Sequence, residues 1–156
     1  MALSKLDNLY RQVILDHSSH PHHRGTLTES TRRIELNNPT CGDVIELQVE
    51  VKEGIIKNIA FNGNGCSIST ASASMMTDAV MGKSVEEAQQ LITDFSQLVQ
   101  GKEVKAIDQL GDAAMLSGVA KFPARIKCAT LGWKALEKAM EENGTATFHH
   151  VHQEEE

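Results

Sequence analysis

The chain has 156 residues and a formal charge of −6, with 40% hydrophobic and 23% charged residues, a globular mixture rather than a disordered or fibrous one. Its acidic balance disfavours non-specific binding to nucleic acid or to an anionic membrane. Four Phe, one Trp and one Tyr are too few for an RNA module that stacks bases on a sheet.

The length suits one domain whose core requires no disulfide staples, and a single folded unit is expected over residues 1–144. No apolar run reaches the roughly 18 residues of a membrane span. Lys5, Asp7 and Arg11 interrupt the apolar residues of the amino-terminal segment, so it does not read as a secretory signal, and a cytoplasmic protein is expected.

In chain order, Leu6, Leu9, Val13 and Ile14 recur at helical spacing, which predicts an amphipathic helix over residues 4–17. The chain then enters His17-Ser18-Ser19-His20-Pro21-His22-His23-Arg24-Gly25, a loop by its Pro and Gly. Four histidines in this loop raise the idea of a metal site, but with no carboxylate or thiolate partner in view the solvated reading is preferred; His17 reads as the residue that closes the helix. Arg32 to Leu36 suggests a strand. Ile45, Leu47, Val49 and Val51 alternate with Glu46, Gln48 and Glu50, the period-two pattern of a half-buried strand. A short turn at Lys52-Glu53-Gly54 leads into a second strand over residues 55–62, completing a hairpin.

The rest reads as helical. Ser67 to Met81 contains no Gly or Pro and is rich in small residues (Ala71, Ser72, Ala73, Ser74) suited to close packing on the sheet. Ser84-Val85-Glu86-Glu87 is a capping box that opens a helix carrying Val85, Ala88, Ile92, Phe95 and Val99 on one face. Residues 101–121 are broken by glycines, with a short helix expected near Asp112–Leu116. Pro123 fits the first turn of a last helix, with Ile126, Ala129, Trp133, Leu136 and Met140 on one side. Residues 145–156, with His149, His150, His152 and three Glu, read as a polar tail. Strands followed by helices predict an α+β fold, a small antiparallel three-stranded sheet covered on one face by helices.

Three cysteines cannot all pair within one chain, so in a reducing compartment each is a buried apolar residue, a metal ligand or a reactive thiol. All three fall near element ends: Cys41 in a Pro-Thr-Cys-Gly-Asp turn, Cys66 where a strand yields to a helix, and Cys128 early in the last helix. Asp43 follows Cys41 with only Gly42 between them. Three thiolates and one carboxylate make a four-coordinate set suited to Zn²⁺ or to iron with sulfide. In such a set the harder oxygen ligand is the more easily displaced. Spacing alone does not select this reading over three core cysteines, because no C-x-x-C pair is present. Two details favour it: Gly63-Asn64-Gly65-Cys66 puts a sulfur at a helix N-terminus, a place that favours negative charge, and Arg125 and Lys127 flank Cys128. Other motifs are weak. Ile68 stands where a dinucleotide fingerprint needs its third Gly, and all seven histidines lie in the first loop and the tail, away from a Cys–His dyad.

Pro39-Thr40-Cys41-Gly42-Asp43, Gly63-Asn64-Gly65-Cys66 with Ala71-Ser72-Ala73-Ser74-Met75, and Pro123-Ala124-Arg125-Ile126-Lys127-Cys128 resemble the three ligand loops of the U-type iron–sulfur cluster assembly proteins, the IscU/NifU N-terminal family. Tyr10-Arg11-Gln12-Val13-Ile14-Leu15-Asp16-His17 is similar to their amino-terminal segment, and the resemblance spans roughly residues 5–142. It implies a SufE/NifU-like α+β fold with Cys41, Asp43, Cys66 and Cys128 gathered at one exposed end as metal or cluster ligands. IscU-type scaffolds carry a His before the third cysteine, where this chain has Lys127. The chain also has extra length around Leu110 to Lys121. Both features resemble the SufU branch. That branch implies a zinc-dependent sulfurtransferase that takes persulfide sulfur from a SufS-type cysteine desulfurase, with Cys41 as acceptor and other cluster-assembly proteins downstream. The alternative is a non-enzymatic scaffold on which a transient [2Fe–2S] or [4Fe–4S] cluster is built and passed on.

Overall fold

The computed structural model describes residues 2–28, 30, 32–38, 42–105 and 107–141. Cys41 and the tail from residue 145 lie outside the described residues. The elements are α1 (Ala2–Ser19), β1 (Arg32–Asn38), β2 (Asp43–Lys52), β3 (Ile55–Asn64), α2 (Ser67–Val80) and α3 (Val85–Leu98), then a run of 3₁₀ turns (Ile107–Lys121) and α4 (Pro123–Glu141).

The three strands pair antiparallel in the order β1-β2-β3. Alternation on β2 sets the register: Leu47 lies between Ile34 and Phe61, Ile45 beside Leu36, and Val49 beside Ile59. All seven side chains are buried, and each is worth roughly 1.5–3 kcal/mol of hydrophobic stabilisation. A one-residue slip would turn the whole set to the opposite face, so the register is strongly specified. On that opposite face the Arg33 guanidinium donates to Glu46 Oε2 at 2.7 and 3.0 Å. The β2–β3 turn places Glu53 and Gly54 at φ 55° and 76°, the paired positive angles that match the twist of a tight hairpin.

The small residues of α2 serve helix packing more than sheet packing, contrary to the expectation from sequence. Ala73 faces Gly132 of α4, where an added Cβ would come within 3.2 Å of the Ala73 Cβ. Ser72 donates to the Ala129 carbonyl and accepts from Trp133 Nε1 at 3.0 Å, so α2 and α4 approach closely with their buried polar groups satisfied. Trp133 stacks on Phe95 of α3, ring centroids 4.3 Å apart. The capping box at Ser84 and Glu87 is present, both hydrogen bonds formed.

The segment read as mixed, with one short helix, is a longer run of 3₁₀ turns kinked at Gly111 (φ 59°, ψ −135°). Leu110, Ala113, Leu116 and Val119 are buried along it, spaced by three, three and three, which suits three residues per turn and disguises the segment in a 3.6-residue search. Among the described residues no helix is long and apolar enough to cross a membrane.

Candidate metal centre

Strand pairing brings Asp43 to Cys66. Val44 pairs with Asn64 at the end of the hairpin, so the residue before Val44 meets the chain as it leaves β3 for α2. Gly63 turns there at φ +134°, where a Cβ would collide with the Val44 carbonyl oxygen. A Cβ on Gly65 would likewise collide with Ser69 Oγ and lie 3.2 Å from Asp43 Oδ1. Both glycines are therefore required by close approach of backbone and side chain rather than by a phosphate ligand.

Asp43 is 2% exposed, and its Oδ1 accepts the Cys66 backbone N–H at 3.0 Å. Cys66 is the N-cap residue of α2 and makes no side-chain cap bond, so the carboxylate supplies the oxygen that satisfies the helix entrance. Cys66 Sγ lies 3.8 Å from Asp43 Oδ2 and 3.9 Å from Ser69 Oγ, while Ser69 Oγ donates to the Cys66 carbonyl at 3.1 Å. Cys128 comes from the second turn of α4 and is fully buried. One ligand atom from each of Asp43, Cys66 and Cys128 falls within 4.8 Å of the others. Cys66 and Cys128 are both thiols rather than disulfide partners.

Cys41 is outside the described residues. Gly42 N donates to the Asn38 carbonyl at 2.8 Å, immediately before Asp43 enters β2. Arg125 lies on the first turn of α4. Its guanidinium hydrogen-bonds Cys128 and faces the charge of Cys66 and Cys128, and these interactions hold its pKa above the ordinary arginine value. Lys127, the other flanking cation, is exposed and lines a small depression with Thr130 and Lys134. Two soft sulfurs and a buried carboxylate within reach of one another, beside a cation, fit the donor chemistry of a tetrahedral Zn²⁺ site.

The sequence matches the NifU-like N terminal domain over residues 9–129. The chain belongs to that family. Relatives of this NifU-like domain include an iron–sulfur cluster assembly scaffold protein IscU of Streptococcus pyogenes serotype M1, 58% identical over 94% of this chain and 91% of the relative. A zinc-dependent sulfurtransferase SufU of Bacillus subtilis is 53% identical over 90% of this chain and 97% of the relative. The crystal structure of a putative iron–sulfur cluster assembly scaffold protein for the SUF system from Fervidobacterium islandicum AW-1 superposes with a TM-score of 0.78 at 31% identity, covering 83% of this chain and 94% of that one. The α+β fold expected from the strand and helix pattern is thus the fold of the family.

The first-loop histidines depart from the sequence reading. His17 does not cap its helix, which continues to Ser19; its ring is buried and bonds Ser74 Oγ at 2.7 Å and Asp112 Oδ2 at 2.9 Å. His22 Nδ1 lies 2.6 Å from Asp78 Oδ2, and His23 Nδ1 lies 2.9 Å from Thr77 Oγ1. These histidines have carboxylate and hydroxyl partners, contributed by α2 and the 3₁₀ segment.

Proposed function

We propose that this NifU-like domain accepts persulfide sulfur from a cysteine desulfurase of the SufS type for iron–sulfur cluster assembly. In this reading Cys41, Asp43, Cys66 and Cys128 hold Zn²⁺, and Cys41 is the sulfur acceptor. The observation that carries it is the meeting of Asp43, Cys66 and Cys128 from a strand start, a helix cap and a second helix, with ligand atoms within 4.8 Å. The 53% identity to a zinc-dependent sulfurtransferase and the presence of Lys127 before the third cysteine support the transfer reading. Thiols kept reduced suit a cytoplasmic protein.

Zinc, when bound, supplies a Lewis-acidic centre that keeps its thiol ligands deprotonated at neutral pH. The Cys41 thiolate attacks the outer sulfur of the desulfurase persulfide. A sulfur–sulfur bond forms at Cys41 while the donor's sulfur–sulfur bond breaks, and the donor cysteine leaves as a thiolate, with no net oxidation. Asp43 would supply the oxygen ligand of the set, the donor that a thiophilic ion holds least firmly. Arg125, exposed at the rim, offers positive charge to the sulfur anions.

Metal analysis of anaerobically purified protein, with mass spectrometry after incubation with desulfurase and cysteine, tests the proposal. About one zinc per chain and a gain of about 32 Da, one sulfur atom, on Cys41 is the expected result. The relative described as an IscU scaffold favours a second reading, in which the cluster is cargo; a coloured, sulfide-containing product that activates an apo-ferredoxin would replace the transfer reading with that one.

A further inference from the structure

A second group of metal-ligating side chains lies away from the cysteines. One ligand atom from each of His17, His22 and Asp78 falls within 4.8 Å of the others. Asp78 is twelve residues beyond Cys66 along α2, about 18 Å at the helical rise, so the two groups share no ligand. We propose that His17, His22 and Asp78 form a second divalent-metal site, taking a first-row cation of borderline hardness through two imidazoles and one carboxylate. This donor set leaves coordination positions open, unlike a closed structural zinc site.

Three features prepare the group for a cation. His17 is 2% exposed, and its ring lies 4.5 Å from that of His22, centroid to centroid, so two imidazoles are held together without an acidic bridge between them. The loop bearing His22 is fixed from both sides: His22 N donates to Ser74 Oγ at 2.7 Å, while Phe61 N donates to the His23 carbonyl at 3.1 Å and Gly25 N to the Phe61 carbonyl at 3.0 Å. Ligands anchored in this way lose little freedom on binding. A groove of about 680 Å³, lined by Asp78, Asp108 and Asp112 among others, opens beside the group and gives a hydrated cation an acidic approach.

His17 has one bond it can release. Ser74 is fully buried, whereas Asp112 is 53% exposed. A cation at Nε2 would take the place of the Nε2 proton now donated to Asp112, and the ring would then donate Nδ1–H to Ser74, the orienting hydrogen bond that a metal-bound His commonly makes. His23, 3.5 Å from Asp78 Oδ1, is bonded to Thr77 and completes the polar surroundings.

Full-length protein loaded with one equivalent of Zn²⁺ is titrated with Co²⁺, followed by absorbance and by calorimetry. Cobalt binds less tightly than zinc in the usual metal order, so it does not displace zinc from the thiols. One Co²⁺ per chain should bind, with weak d–d bands and no sulfur-to-cobalt charge transfer. His22→Ala and Asp78→Asn, both at exposed positions, should each weaken that binding at least about tenfold while zinc content stays unchanged. A chain with His149, His150 and His152 all changed to Ala should bind as the parent does. No added cobalt, cobalt retained in both site variants, cobalt lost in the tail variant, or a sulfur charge-transfer band would each overturn the proposal. None of these outcomes depends on which cysteine accepts sulfur.

Discussion

Asp43 has two tasks that substitution can separate. Its Oδ1 accepts the Cys66 N–H at 3.0 Å from a position that is 2% exposed, and in the proposed function the same carboxylate is a zinc ligand. In metal-free protein only the first task remains. A hydrogen bond to a charged group contributes about 1.5–3 kcal/mol, against about 0.5–1.5 kcal/mol for a neutral one. Asp43→Ala removes the acceptor and leaves the part-buried Cys66 N–H at the entrance of α2 without it, so it should cost about 1.5–3 kcal/mol; for a chain of this size that is a fall in Tm of roughly 3–12 °C. Asp43→Asn keeps an oxygen acceptor and should cost less, about 1–1.5 kcal/mol, the difference between a charged and a neutral hydrogen bond. Urea unfolding of the metal-free proteins, with zinc affinity measured separately by chelator competition, reads both tasks: both variants should hold zinc more weakly, and only Asp43→Ala should be strongly destabilised. Equal losses of stability in the two variants would show that the bond to Cys66 is not what the carboxylate contributes to the fold.

Replacing the oxygen ligand by sulfur, Asp43→Cys, should slow zinc release to a chelator relative to the parent, because a soft donor is less easily displaced; equal release rates would remove the argument for a labile oxygen position. Gly65→Ala should cost about 1–3 kcal/mol through overpacking against Ser69 and Asp43, and adding Ser69→Ala should return part of that stability in a double-mutant cycle, whereas strict additivity would contradict the contact. Arg125→Gln should lower the rate of sulfur uptake from the desulfurase several-fold with zinc content unchanged, since the guanidinium faces the Cys66 and Cys128 sulfurs from an exposed position; an unchanged rate would exclude a role for it. Ser84→Ala should lose about 0.5–2 kcal/mol by chemical denaturation through loss of the α3 cap, without altering metal content, and a loss of zinc in this variant would point to wider rearrangement.

What the sequence made legible was local. Period-two alternation on β2 identified both the strand and its buried face, and Ser84 with Glu87 marked the start of α3 within one residue. Gly63-x-Gly65-Cys66 placed a cysteine at a helix entrance, where the structure has it as the N-cap of α2. Convergence of Asp43 and Cys66 follows from the β2–β3 register, which a hairpin reading already contains; Cys128 joins the set on residue type and its place near an element end alone, since nothing near α4 in the sequence shows that its second turn faces the α2 entrance. The histidines were misread for the same reason. His17 finds Ser74 and Asp112, 57 and 95 residues away in sequence, and no periodicity carries a pairing of that range. The role of the small residues in α2 was hidden too: Ala73 and Ser72 meet Gly132 and Trp133, whose place on α4 sets the spacing between helices. Ser69 was not singled out, although its place three residues after Cys66 on a helix is the signal that lets it bond back to the Cys66 carbonyl.

The claim that four side chains from separate parts of the chain share one zinc is tested most directly by X-ray absorption at the zinc edge on protein carrying one equivalent. Three sulfur neighbours at about 2.3 Å and one oxygen at about 2.0–2.2 Å are expected, with one sulfur lost in Cys41→Ser. A shell of nitrogen and oxygen with imidazole scattering, unchanged by Cys41→Ser, would contradict it.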